Sequence, residues 1–150
     1  SRLIDMKVEP FLISSTLNIV IAQRLVRKLG PLVEKYKLKK EEILNLKKYC
    51  DTEKILKVLK EEKLIKENDS FEDITFYRPK DSSSYKGRIG MFEILKVTEG
   101  IRDLIINQSS SSKIKDQAQK EGMRTMIEDG FIKAAKGLTS IEEVLRVMSE

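Results

Sequence analysis

Apolar and polar positions change their period several times along this chain, and each change marks an element. The first residues read as a short helix ending near Met6, followed by a second that begins around Pro10. Proline loses no hydrogen bond in a first helical turn, and Glu9 beside it suits the positive end of the helix dipole. From 19 to 28 the period becomes two: Ile19, Ile21, Gln23, Leu25 and Arg27 alternate with Val20, Ala22, Arg24, Val26 and Lys28. Both sets begin apolar and end polar. That pattern predicts a strand whose first half is buried on both faces and whose end reaches the surface. A helix continuing from Pro10 is the alternative, and Gly30-Pro31 ends the element in either case.

Residues 32–70 predict helix. One stretch puts Ile43, Leu46 and Cys50 on one side, and Asp51 or Thr52 caps a second with Ile55, Leu56, Leu59 and Leu64 facing inward. Glu67-Asn68-Asp69-Ser70 reads as a turn, 74–78 as a strand and 79–84 as a flexible connection. Residues 88–97 predict another strand, with Gly90 in mid-strand marking a close approach or a bulge. From Glu99 onward the period is helical. Ser110 to Ser112 offers a cap, Gly122 and Gly137 are stops, and Thr139 with Glu142 forms a capping box before an apolar face of Val144, Leu145 and Met148. The fold class is α/β, mixed and helix-rich.

Composition narrows the chemistry. The 150 residues suit one domain, or one with a small appendage. There is no histidine, which removes imidazole-based triads and proton shuttles, and the single Cys50 supplies neither an internal disulfide nor a thiolate cluster. No apolar stretch is long enough to span a bilayer and no secretory leader is visible, so a cytoplasmic protein is expected. The net charge is +5, and residues 34–66 hold eleven Lys against seven Asp/Glu, a local net of +4. Such a stretch reads either as a nucleic-acid or anionic-lipid surface or as a solvated helical face, since Glu41, Glu42, Glu53, Glu61 and Glu62 interleave the lysines. A small basic winged-helix-like nucleic-acid-binding module, built from two short helices and a following hairpin, is therefore one reading.

No G-x-x-x-x-G-K-[ST] loop occurs, and Lys86-Gly87-Arg88-Ile89-Gly90 enters a predicted strand, so nothing grips a triphosphate. No catalytic residue is assigned. Four blocks carry more information: Ala22-Gln23-Arg24-Leu25-Val26-Arg27, the run Tyr85-Lys86-Gly87-Arg88-Ile89-Gly90-Met91-Phe92-Glu93-Ile94-Leu95, then Glu121-Gly122-Met123-Arg124, and Gly137-Leu138-Thr139-Ser140-Ile141-Glu142-Glu143-Val144. In that order they resemble the C-terminal part of the hexameric ATPases that drive type II secretion and type IV pilus assembly. The likeness covers residues 1–31 and 85–149, about two thirds of the chain.

The resemblance implies that residues 1–31 and 71–98 end a RecA-like ATPase domain with the strands of a hairpin. Residues 32–70 would be a helical insert, and 99–150 a C-terminal helical subdomain. It implies a parent that hydrolyses ATP with Mg as a hexamer, peripheral to the inner membrane and in contact with a platform protein there. The segment itself would hold no cofactor, bind no nucleic acid, and be either monomeric or dimeric. Arg24, Arg27 and Arg88 are candidates for contact with a neighbouring subunit or nucleotide; the alternative is that they cap the ends of the hairpin. Gln23, Gly87, Gly90, Glu93, Arg102, Gly122, Met123, Asp129 and Gly130 are family-motif positions with structural roles. Many assembly ATPases carry four zinc-binding cysteines between the two strands, but Gly30 and Ser82-Ser83-Ser84 stand where cysteines are expected, so no metal is assigned. The expected zinc content of the purified protein is zero by elemental analysis; a stoichiometric signal would contradict this.

Overall fold

The computed structural model describes residues 6–149, the side chain of Ser82 excepted. The short helix expected to end near Met6 lies outside the described residues. Seven α-helices and four strands follow: α1 (Pro10–Thr16), β1 (Ile19–Leu29), β2 (Val33–Tyr36), α2 (Lys40–Leu46), α3 (Thr52–Glu61), β3 (Phe76–Pro79), β4 (Tyr85–Lys96), α4 (Glu99–Ile106), α5 (Ser111–Lys120), α6 (Met126–Ala135) and α7 (Ile141–Ser149). Two short 3₁₀ turns, Phe71–Asp73 and Ser82–Ser84, flank β3. The sheets are two-stranded, β1 with β4 and β2 with β3. The mixed, helix-rich α/β class expected from the sequence is the one observed.

The chain divides into two compact units. One holds the residues up to Ala22 with Glu93–Thr125; the other holds Gln23–Phe92 with Met126 onward. In the first, Val97, Ile101 and Ala118 are buried, and Leu17, Leu95, Ile105 and Ile114 pack around them. Arg102 of α4 fixes α1 by donating to the carbonyl of Ser14 and, at 3.1 Å, to Asn18 Oδ1. A carbonyl in the last turn of a helix has no intrahelical partner, so the guanidinium takes that place. Thr98 caps α4, accepting from the N–H of Ile101, and donates to Glu121 at 2.7 Å.

In the second unit the core is aromatic at its centre. Phe76 and Phe131 are fully buried and meet edge to face at 6.2 Å, with Phe71 and Tyr36 beside them. Ile55, Leu59, Ile74, Met91, Val26 and Val144 complete it. Helix α3 faces inward as the sequence predicts, and Asp51 caps it by accepting from the N–H of Glu53 and of Lys54.

Several expectations are corrected. Residues 33–36 are not helical: β2 pairs antiparallel with β3, Val33 opposite Pro79 and Tyr36 opposite Phe76. The segment Val33-Glu34-Lys35-Tyr36 has no strand alternation of its own and is stabilised by a partner 40 or more residues away, and Arg78 lies 4.8 Å from the Tyr36 ring. Strand β3 therefore belongs with β2 rather than in a hairpin with β4, which removes the wing from the winged-helix reading. The connection at 79–84 is ordered, with Asp81 accepting from the N–H of Ser83 at 2.9 Å. The first half of β1 is exposed, not buried on both faces: Ile19 is 51%, Val20 41% and Ile21 56% exposed. Its sheet contains one other strand among the described residues, so no further strand flanks that half. The last cap shifts by one residue, because Ser140 Oγ accepts from the N–H of Glu143 while Thr139 turns elsewhere. That shift puts Ile141, Val144 and Val147 inward and leaves Met148 exposed.

Gly130 of α6 packs closely against α7 and β4. A Cβ there would lie 2.6 Å from Val144 Cγ1 and 2.7 Å from Met91 Sδ. Gly130→Ala should destabilise the chain by about 1–3 kcal/mol through overpacking. An unchanged urea midpoint would show that α6 and α7 can separate freely.

Candidate functional site

Alternation along β1 assigns its two edges. The Gly30 N–H donates to the Ser84 carbonyl at 2.7 Å, and the Val97 N–H donates to the Asn18 carbonyl at 2.9 Å. One end of β1 thus meets the start of β4 and the other end meets its finish, so the pair is antiparallel. In such a strand alternate residues turn both main-chain groups to the same side. Even-numbered residues of β1 face β4, and odd-numbered ones face away.

The outward edge is closed at its far end. Leu29 donates to the Leu138 carbonyl at 2.9 Å, Arg27 donates its backbone N–H to Glu143 Oε2 at 3.0 Å, and the Arg27 carbonyl accepts from Thr139 Oγ1 at 2.8 Å. At residues 19, 21, 23 and 25 the outward groups meet no second strand among the described residues. On β4 the Phe92 N–H is taken by Asp129 Oδ2 at 2.8 Å.

Glu143 is the centre of the closure. Its side chain is 2% exposed, yet it is ionised between two guanidinium groups. Arg27 donates to Oε1 through Nε at 2.9 Å and Nη2 at 2.6 Å; Arg146 donates through Nε at 3.0 Å and through Nη2 at 3.0 Å. Burial on its own raises the carboxyl pKa. The hydrogen bonds from Arg146 and Arg27, side chain and backbone, outweigh it and hold the pKa at about 2. Arg27 also lies 4.2 Å over the Tyr85 ring, and the Tyr85 hydroxyl pairs with Ser140 Oγ at 2.7 Å.

The three candidate arginines therefore separate. Arg27 is bound to Glu143, and Arg24 donates to the Val147 carbonyl in the last turn of α7, where the helix dipole favours a cation. The Arg88 side chain is exposed and has no hydrogen-bond or ion-pair partner among the described residues. The sequence reading missed Glu143. Its one available signal is position: Glu143 and Val147 stand four apart, so they share the buried face of α7.

The remaining motif positions have the following surroundings. A Cβ at Gly90 would come within 2.9 Å of Gln23 Nε2 and 2.7 Å of Phe92 Cζ, so the close approach there is by side chains. Gly87 and Gly122 have φ of 78° and 94°, values that favour glycine. Asp129 pairs with Lys133 as well as with the Phe92 N–H. Met123 packs in the first core, and Glu93 lies at a groove of about 290 Å³ with Val20, Leu95 and Ile114. Burial pushes the Cys50 thiol up to about 11, away from a reactive thiolate. No group of three or more Cys, Asp or Glu is placed to hold a metal among the described residues.

The family model described as "Type II/IV secretion system protein" matches residues 1–146. The chain belongs to that family. It is 34% identical over 154 residues to the type II secretion system protein E of Xanthomonas campestris, covering 100% of this chain and 24% of that protein. It is also 30% identical to the type IV pilus assembly ATPase PilB of Myxococcus xanthus, covering 97% of this chain and 24% of the relative. The type II secretion system ATPase E of Vibrio cholerae is 36% identical, with 100% and 27% covered. The chain thus spans about a quarter of the length of these relatives. Among the described residues no helix is long and apolar enough to cross a membrane.

For this secretion-family chain, Glu143 makes stability depend on pH. Its folded pKa, about 2, lies below the ordinary 4.5, so its contribution is complete above pH 4.5 and is lost as pH falls toward 2. The full contribution is about 3 kcal/mol. Denaturation midpoints between pH 2 and 7 should fall with acid in the native chain and fall less steeply in Glu143→Gln, where Glu34, Asp73, Asp81 and Glu121 still titrate below their ordinary values. Identical pH profiles would contradict the assignment.

Proposed function

We propose that this chain is the C-terminal part of a motor ATPase of type II secretion or type IV pilus assembly, and that its own role is mechanical. The observation that carries the reading is the outward edge of β1 with its uncovered apolar side chains at Ile19, Val20 and Ile21. A strand that is apolar on both faces suits the interior of a sheet with layers on either side, the arrangement of a RecA-like domain. The rest of that sheet, with the phosphate-gripping loop and the Mg site, belongs to the part of the parent outside this chain. The parent would work as a hexamer at the cytoplasmic face of the inner membrane, against a platform protein.

Within this reading Arg24 and Arg27 hold α7 on β1, and Arg88 is the arginine left for a neighbouring subunit or a nucleotide. The groups here offer no histidine, no phosphate loop and no lowered thiol, so the chain alone should release no phosphate from ATP. Ile21→Glu tests the mechanical role. In the isolated chain Ile21 is exposed, so its stability should move by less than about 0.5 kcal/mol. In the intact motor the same change would bury an unpaired carboxylate, and soluble, hexameric, ATP-hydrolysing protein should be lost. An intact motor that tolerates Ile21→Glu without loss would refute the reading.

A further inference from the structure

Glu143 does more than neutralise two arginines. Its Oε2 stands where a neighbouring strand would place a carbonyl oxygen, 3.0 Å from the outward N–H of Arg27. The Arg27 carbonyl and the Leu29 N–H are taken in the same way, by Thr139 Oγ1 and by the Leu138 carbonyl. From Arg27 through the Leu29 N–H, then, the edge is occupied by α7 and the loop that leads into it. Before Arg27 it meets no second strand among the described residues. Open strand edges pair with extended segments unless something blocks them.

We infer that Glu143 is a strand terminator: it confines any further strand on β1 to residues 19–25, and that strand must be apolar on both faces where it passes Ile19, Val20 and Ile21. The two faces are fixed by alternation, since Ile19 and Ile21 project to one side and Val20 to the other, and all three are exposed. A charged side chain at those places would be desolvated without a partner. A second copy of this chain fits poorly. Antiparallel pairing of residues 19–25 with themselves sets Gln23 against Ile21 and Arg24 against Val20, polar against apolar on both faces. The occupant is an extended segment of the motor polypeptide outside this chain. That identification of the occupant rests on the function proposed above; the terminator does not.

Amide hydrogen exchange, resolved by residue, tests both parts. In the isolated chain the amides of Arg27 and Leu29 should exchange roughly tenfold or more slowly than those of Ile21 and Gln23. Glu143→Gln keeps an acceptor oxygen and should keep the Arg27 amide slow, whereas Glu143→Ala should speed it roughly tenfold. In the intact motor the amides of residues 19–25 should gain protection while Arg27 and Leu29 stay as they are. Equal exchange at Arg27 and Ile21 in the native chain would overturn the terminator. Unprotected amides at 19–25 in the motor would overturn the occupant. Failure of the motor reading itself would be seen separately, as a longer polypeptide that hydrolyses no ATP whatever its exchange pattern.

Discussion

One buried carboxylate organises the second unit. Glu143 is held ionised by Arg27 and Arg146, and through Arg27 it ties the end of β1 to α7. An ionised carboxylate this deeply buried is tolerated only when its hydrogen-bonding capacity is met, and here both oxygens are engaged. The rest of the unit follows from that clamp. With α7 fixed on β1, Val144 and Val147 enter the core, and Gly130 of α6 must pass α7 without a side chain. Arg24 reinforces the same contact one turn further along the helix.

The same clamp decides what β1 can do. Main-chain groups at a sheet edge seek partners, and this strand meets the need in two ways along its length. Its last residues are satisfied by Glu143, Thr139 and Leu138; its first residues present apolar side chains and outward-facing main chain. A strand that is closed at one end and open at the other has a direction for joining a larger structure. The chain belongs to the secretion family and spans about a quarter of the length of its relatives.

Much of this was legible in the sequence where the cause is local. The caps at Asp51 and Ser110 and the stops at Gly122 and Gly137 each depend on a few consecutive residues, and each is found where the sequence places it. The strand at 33–36 was not legible, because its stability comes from Tyr36 meeting Phe76 across the intervening helices α2 and α3, in a segment that otherwise favours helix. The displaced cap at Ser140 has a similar origin: Thr139 is drawn to the Arg27 carbonyl 112 residues away. The site divides along the same line. Arg24 and Arg27 read as contacts to a neighbouring subunit or nucleotide, and their partners within the chain were not legible, since Glu143 looks like one more surface acid until Arg27, 116 residues away, is placed beside it. The exposed first half of β1 is instructive in the other direction. Its composition is that of a strand covered on both faces, yet Ile19, Val20 and Ile21 are exposed.

A map of the proposed intact motor at side-chain resolution tests the central claim most directly. The account predicts an extended, apolar segment hydrogen-bonded to the outward main chain of Ile19, Ile21, Gln23 and Leu25, ending where Glu143 meets Arg27. Solvent or a packed helix along residues 19–25, or a strand continuing past Arg27 with Glu143 displaced, would contradict it.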